Sequence, residues 1–318
     1  MPAACLSTQP LETMDNPFLT HRLTAYEHWR RHKLACADAG PADTVEVADP
    51  WSPTAGELTA LRYALTVHNM VHYRWPAVPP EDEKEALRAF CRRLGLVDLD
   101  RNLYADDDGI AALKVVAGGR RGEYIPYTSR AINWHTDGYY NAPHQLVRAF
   151  ALHCSRDAAI GGGSRLLDHE LAYIAIRDHH PEYVEALMAD DAMTIPENVE
   201  DGEVIRPRQA GPVFSVDPGL GSLHLRYTAR TRSIQWKDDT LTQEAVACLV
   251  EVLQGLSHRV VALRLQSQEG VLTSNVLHGR DAFTDDPATG RIRLFYRARF
   301  HERAAGTGVA DFAALCGG

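Results

Sequence analysis

The stretch Ile132-Asn133-Trp134-His135-Thr136-Asp137-Gly138-Tyr139-Tyr140 sets an imidazole and a carboxylate two residues apart in a β-prone run. Along a strand, residues i and i+2 point to the same face, so His135 and Asp137 converge on one point while Trp134 and Thr136 face away. That pair is half of a metal site. A third donor, His278, stands far downstream in Val276-Leu277-His278-Gly279-Arg280, just after the apolar run Gly270-Val271-Leu272-Thr273. Two histidines and one carboxylate make a facial triad, which suits a divalent iron that keeps coordination positions open for substrate and oxygen. An HxD pair also arises by chance, and a lone histidine is commonly a hydrogen-bonded packing residue. Corroboration has to come from the rest of the chain.

With 318 residues, 45% of them hydrophobic, the chain can bury a large core, and it is read as one elaborated β domain rather than two ordinary ones. A net charge of −9 argues against a nucleic-acid partner, because phosphate binding needs a basic face. No apolar run approaches the ~18 to 20 residues of a membrane span, and Met1-Pro2-Ala3-Ala4-Cys5-Leu6-Ser7 lacks the basic and apolar regions of a signal peptide. A cytoplasmic protein is expected. The six cysteines contain no CxxC, which indicates neither a zinc knuckle nor a disulfide framework. Cys91 and Cys248 read as reduced core thiols in helices.

Residues 1–20, with Pro2, Pro10 and Pro17, read as an extended or disordered lead-in, and 304–318 as a loose, small-residue tail. Between them, 21–303 is expected to form a single domain. Helical spacing marks 21–38 and 55–71, and a third helix follows Pro79-Pro80 with an acidic first turn and a stop at Gly95. Strands are expected at 110–116, 123–127, 131–137, 145–154, 164–167, 259–265, 270–275 and 291–300. Asp168 can cap a helix to about 178, Pro181 starts another, and Thr240 with Gln243 forms a candidate capping box for 241–256. The irregular, proline-bearing segment at about 190–239 has the character of an insertion crossing the mouth of a scaffold.

The last strand, Arg291-Ile292-Arg293-Leu294-Phe295-Tyr296-Arg297-Ala298-Arg299-Phe300, alternates with period two. Arg291, Arg293, Phe295, Arg297 and Arg299 share one face. An edge strand with solvated arginines would look the same. The functional reading is that a planar guanidinium binds a carboxylate bidentately, which a dicarboxylate cosubstrate needs at its end away from the metal.

In order, His135-Thr136-Asp137-Gly138, Gly161-Gly162-Gly163-Ser164-Arg165-Leu166-Leu167-Asp168, the LHGRDAF run at 277–283 and the RLFYR run at 293–297 resemble the taurine dioxygenase-like (TauD/TfdA, clavaminate synthase-like) group of Fe(II)/2-oxoglutarate oxygenases. The resemblance covers about 110 to 302. It implies a mainly β fold with flanking helices, a double-stranded β-helix or jelly-roll of the clavaminate synthase-like type, with Fe(II) held in its mouth by His135, Asp137 and His278. It also implies that Arg293 grips the distal carboxylate of 2-oxoglutarate, with Arg291 as the neighbouring alternative. Ser164 stands where the family usually has a threonine bonded to that carboxylate, and Arg297 stands where relatives often meet an anionic part of the substrate. One departure is Ser274-Asn275, where many relatives have Asp-Asn, and this leaves the supporting partner of His278 open.

Three functions remain compatible with these residues. The first is an Fe(II)/2-oxoglutarate dioxygenase acting with O2 on a small, anionic substrate. Retention of the carboxylate at Asp137 favours hydroxylation or a related C–H oxidation over halogenation. The second is a metal-dependent hydrolase, since zinc accepts the same ligands, although it gives the Arg293 and Arg297 strand no role. The third is a catalytically silent jelly-roll binding module. His144, His153, His179 and His180 are read as surface or packing residues. The run from 225 to 237, with Arg226, Arg230, Arg232, Lys237, Tyr227 and Trp236, reads either as a solvated, ion-paired surface or, functionally, as a cationic lid over the barrel mouth working with Arg297.

Overall fold

Apolar residues on both sides of Ala149–Arg156, Glu269–Thr273 and Leu294–Phe300 commit these strands to burial on two faces. In this computed structural model, which describes residues 16–101, 106–200, 202–230 and 234–316, they form the middle of a six-stranded sheet. Its order is Val45–Glu46, Met70–Arg74, Glu269–Thr273, Ala149–Arg156, Leu294–Phe300 and Ala111–Leu113. The first pair is parallel and the others are antiparallel. Ala149, Ala151, Leu272, Tyr296 and Ala298 point outward onto the helices Ala55–His68 and Glu83–Arg93. Phe150, Leu152, Val271 and Phe295 point inward.

The inward face meets a four-stranded antiparallel sheet ordered Val261–Leu263, Ser164–Leu167, Leu277–Arg280 and Ile132–His135. Leu166, Val261 and Leu263 complete the layer between the sheets. Each large apolar side chain buried there contributes about 1.5–3 kcal/mol. The other face of the smaller sheet, through Leu167, Leu277 and Trp134, packs into a cluster reached by the helices Leu23–Asp38, His169–His179, Pro181–Leu187 and Thr240–Gly255. The site therefore sits between two sheets, each backed by helices.

Several elements differ from the sequence reading, each for a local reason. The helix expected over 55–71 ends at His68 because Asn69 adopts the left-handed conformation (φ 58°), and Met70–Arg74 becomes an inner strand of the large sheet. The capping box falls at Thr54 and Glu57. The helix expected to start with a Thr240–Gln243 box is instead capped by Asp239, whose carboxylate accepts from the Thr242 amide at 2.8 Å. Residues 123–127 form helical turns and no strand, since Pro126 has no amide to give a ladder. Leu277–Arg280 is a strand the sequence reading did not mark.

The two ends also differ. Residues 1–15 lie outside the described part, but Phe18 is fully buried against Trp29 and Tyr173, with ring centroids at 4.8 and 5.5 Å. Arg177 donates to the carbonyls of Pro17, Leu19 and Thr20 and fixes that segment. The expected loose tail contains the helix Val309–Cys316, whose Phe312 is buried near Trp29. Cys91 is a buried free thiol and Cys248 a half-buried one. No helix among the described residues is long and apolar enough to cross a membrane.

Candidate active site

His278 lies directly opposite His135 in the small sheet, and the register shifts between His278 and Arg280, so that Arg280 faces Ile132. Two steps on one strand thus oppose three steps on the other. Such a bulge re-aims side chains, which is why Ile132 and His135 both face the interior despite their odd spacing. The imidazoles of His135 and His278 lie with centroids 4.1 Å apart. Asp137 follows in the turn beyond the strand, with Gly138 at φ 68°, where a Cβ would come within 2.5 Å of Val147. The donor atoms of His135, Asp137 and His278 all lie within 4.8 Å of one another, the three residues expected to meet.

Backbone contacts settle which atoms face the centre. Nδ1 of His135 lies 2.9 Å from the Asn133 carbonyl, and Nδ1 of His278 lies 2.9 Å from the Val276 carbonyl. A carbonyl only accepts, so each Nδ1 carries the proton and each Nε2 presents a lone pair. The open question about His278 is thereby answered: Val276 orients it, and Asn275 serves Asp137. The Asn275 side chain accepts from the Asp137 amide at 2.8 Å and donates to the carbonyls of Asp137 and Val147 at 2.9 and 2.6 Å. Burial, followed by the neighbouring His135, pushes His278 down to about 3, and burial also lowers His135. Both imidazoles are neutral, each with an Nε2 lone pair that a metal ion could take.

Burial alone would raise the Asp137 pKa, but Arg297 and then Arg299 hold it well below the usual carboxylate range. Arg297 Nη1 donates to Asp137 Oδ1 at 3.1 Å, and Arg299 Nη1 lies 3.8 Å from the same oxygen. Oδ2 is buried with no hydrogen-bond partner. One oxygen is braced and the other is left with its lone pairs, as a metal ligand requires. The residues present thus fit a divalent ion. Arg299 also ion-pairs with Asp100 and donates to the Tyr140 hydroxyl at 3.1 Å. Its part in the site was not anticipated, although it shares the face of Arg293 and Arg297.

Beside the ligands lies a cavity of about 50 Å³ whose wall includes Ser164, Arg280, Arg293 and Arg297 together with His135 and His278. Arg293 is 2% exposed, far from the solvated edge arginine that was the alternative. Its Nε and Nη1 have no hydrogen-bond partner, and its guanidinium lies 3.8 Å from the Phe295 ring centroid. Arg280, directly opposite Ser164 in the sheet, was overlooked inside the quoted LHGRDAF run. It donates to the carbonyls of Pro126, Thr128 and Arg130, while its Nε is buried without a partner. Both guanidiniums lie against the Phe283 ring, at 4.9 and 5.1 Å. Burial and then Arg280 push Arg293 down to about 9; burial and then Arg297 push Arg280 to about 10. These are two crowded, desolvated cations beside an open space. Arg291, the alternative anchor, is exposed and paired with Asp157, so the neighbour in the cavity is Arg280.

The expected cationic lid is dispersed. Arg226 is buried and donates to the carbonyls of Tyr139, Met193, Gly211 and Gln209. Lys237 pairs with Asp191 at the surface, Arg230 is exposed, and Arg232 lies outside the described residues. The segment 227–229 is stitched to the ligand strand, with Ala229 donating to the Trp134 carbonyl at 2.8 Å and Thr136 to that of Tyr227 at 2.9 Å. His153 is a packing residue, as expected, its ring centroid 4.3 Å from that of Trp75 and 6.0 Å from that of Tyr73.

The family described as taurine catabolism dioxygenase TauD, TfdA family matches residues 41–299. A uridine-5'-phosphate dioxygenase from Streptomyces sp is 28% identical over 201 residues, which cover 60% of this chain and 70% of that protein. An asparagine oxygenase in complex with Fe(II), 2S,3S-3-hydroxyasparagine and succinate aligns with a TM-score of 0.52 and 17% identity, covering 86% of this chain and 90% of that one. The non-heme iron oxygenase OrfP in complex with Fe, succinate and (3S)-hydroxy-L-Arg aligns at 0.57 and 16%, covering 90% of each. These two likenesses concern the fold. The family match begins well before the four motifs and takes in the helices Ala55–His68 and Glu83–Arg93, so the chain belongs to the TauD/TfdA family of dioxygenases.

Proposed function

We propose that the protein is an Fe(II)- and 2-oxoglutarate-dependent oxygenase that oxidises a C–H bond of a small molecule, and that its two facing sheets are the halves of a jelly-roll. The observation that carries this reading is Arg293, a buried guanidinium with two unpartnered nitrogens in a cavity shared with His135 and His278. A hydrolase or a silent binding module has no use for a buried cation at that place. A dicarboxylate does: a bidentate guanidinium takes one end while the other end reaches the metal.

Bound together, Fe(II) and 2-oxoglutarate supply the O2-activating chemistry. In this reading His135, Asp137 and His278 hold the ion through the two Nε2 atoms and Oδ2. Arg297 keeps Asp137 ionised and fixes its rotamer, which differs from the direct substrate contact expected of it. Arg293 and Ser164 receive the distal carboxylate, with Arg280 adding positive potential. Phe150, 4.5 Å from the His278 ring, and Leu166 keep that inner side dry, which strengthens every charge interaction in it.

The substrate is read as small and anionic. The Streptomyces relative is named for uridine 5'-phosphate, a small phosphate ester, and Arg297 reaches the wall of the cavity beside His135 and His278. Anaerobic titration of the Fe(II) protein with 2-oxoglutarate, followed by metal-to-ligand charge-transfer absorbance, tests the core of the reading. Wild type develops the band and Arg293→Ala requires much more 2-oxoglutarate; a wild type with no band defeats it. For the substrate, anionic compounds should stimulate O2 consumption and succinate formation where neutral analogues do not.

A further inference from the structure

Beyond the ligands and the inner cavity, one half-buried cation has no part in the reading above. Arg206 ends the strand Glu203–Arg206 in the 190–239 segment, and its guanidinium lies 5.7 Å from the ring centroid of Tyr140. Tyr140 in turn accepts from Arg299, whose Nη1 lies 3.8 Å from Asp137 Oδ1, so Tyr140 and Arg299 link Arg206 to the metal carboxylate. Its neighbours are cationic or phenolic: Arg226, Tyr124, Tyr139 and Tyr140.

Comparison with Arg226 shows that Arg206 is not simply a brace. Arg226 shares its guanidinium among four backbone carbonyls that tie the segment together. Arg206 makes one such bond, from Nη2 to the Pro196 carbonyl at 2.9 Å, and its Nη1 is buried with no hydrogen-bond partner. Among the described residues no carboxylate lies within 4.0 Å of it. A desolvated donor of this kind costs free energy until an acceptor arrives. With a second guanidinium nearby and no acid, the acceptor that fits best carries negative charge.

We propose that Arg206, flanked by the phenols of Tyr139 and Tyr140, binds an oxyanion of the primary substrate, a carboxylate or a phosphate, and thereby fixes the end of the substrate that is not oxidised. The inference rests on the oxygenase reading of the metal centre and assigns the anion to a residue outside the last strand. Its chemistry is that of a planar donor fork meeting an oxyanion beside phenol hydroxyls.

The test uses the full chain loaded with Mn(II) and saturating 2-oxoglutarate under argon, so that Arg293 is already occupied. Calorimetric titration with inorganic phosphate, and separately with acetate, should show binding of at least one anion to wild type, the tighter one naming the oxyanion. Arg206→Gln should weaken that binding about tenfold or more, and Arg206→Lys should restore part of it, as expected for a charged anchor. Affinity for 2-oxoglutarate and the anion-free thermal midpoint should stay at wild-type values in both variants. The proposal is overturned if neither anion binds wild type, or if Arg206→Gln binds as wild type does. A wild type that takes up no 2-oxoglutarate overturns the oxygenase reading instead, and this inference with it.

Discussion

Two buried charged regions of this protein are built on opposite plans. Behind the small sheet, Lys33 is 1% exposed and donates to Asp168, Glu170 and the Val67 carbonyl. Asp168 also accepts from Asn69, whose own carbonyl oxygen takes Arg303 at 2.6 Å. Every charge there has an opposite neighbour. Between the sheets, Arg293 and Arg280 have no carboxylate partner in the cavity they line, and three of their nitrogens go without a hydrogen bond. Desolvation penalises both regions, but only the first is compensated from within the chain. The lesson is that the compensated network holds the fold, whereas the uncompensated pair is shaped for something that arrives from outside.

That contrast can be broken by experiment. The largest effect belongs to the centre itself: His135→Ala, Asp137→Ala or His278→Ala should abolish stoichiometric Fe(II) binding in calorimetric titration under argon while the far-ultraviolet circular dichroism stays that of wild type. Next comes the compensated region. Lys33→Met strands two buried carboxylates and should lower urea stability by roughly 3–5 kcal/mol. The matching change, Arg293→Met, should leave the stability of the ligand-free protein within about 1 kcal/mol of wild type, because no partner is orphaned. It should instead weaken 2-oxoglutarate binding by ~2–5 kcal/mol, read from the charge-transfer absorbance. Equal urea effects for the two substitutions would erase the distinction.

Smaller effects sharpen it. Ser164→Ala, losing one hydroxyl opposite Arg280, should weaken 2-oxoglutarate by about 1 kcal/mol in the same titration. The smallest is a pH effect. Burial opposes ionisation of Asp168, but Lys33, His169 and the Glu170 amide lower its pKa on balance. A lowered folded value means that its contribution is fully present above the unfolded pKa near 3.9 and is lost as pH falls through the folded value. The stability gap between wild type and Asp168→Asn should therefore be flat from about pH 5 to 8 and narrow below about pH 4 in urea titrations. A gap that widens in acid would show that Asp168 is not held ionised by this network.

The meeting of His135, Asp137 and His278 was legible in sequence because two of them fall on one short motif and the third on another. Arg293 was legible because alternation put it on a face with Phe295, and the structure places that face inward. What escaped the reading was set by contacts between distant segments. Arg280 gains its position only by lying opposite Ser164 across the sheet. Arg226 looked like part of a charged surface because its four carbonyl partners come from backbone at 139, 193, 209 and 211, which no side-chain pattern announces. The strand Met70–Arg74 was hidden because only Asn69, turning left-handed, divides it from the preceding helix. The cap at Asp239 was misplaced by one residue because Asp, Thr and Ser satisfy the first turn by the same bond.

The register shift between the two histidine strands makes the active site a matter of counting. With one residue fewer between Ile132 and His135, the ladder would run regularly from Arg280 to His278, and whichever residue then stood opposite His278 would inherit the inward place. The segment 227–229, bonded to the same strand, would be drawn along by one position. A single codon gained or lost near Asn133 would therefore move His135, its neighbours on the strand and the 227–229 segment bonded to them together.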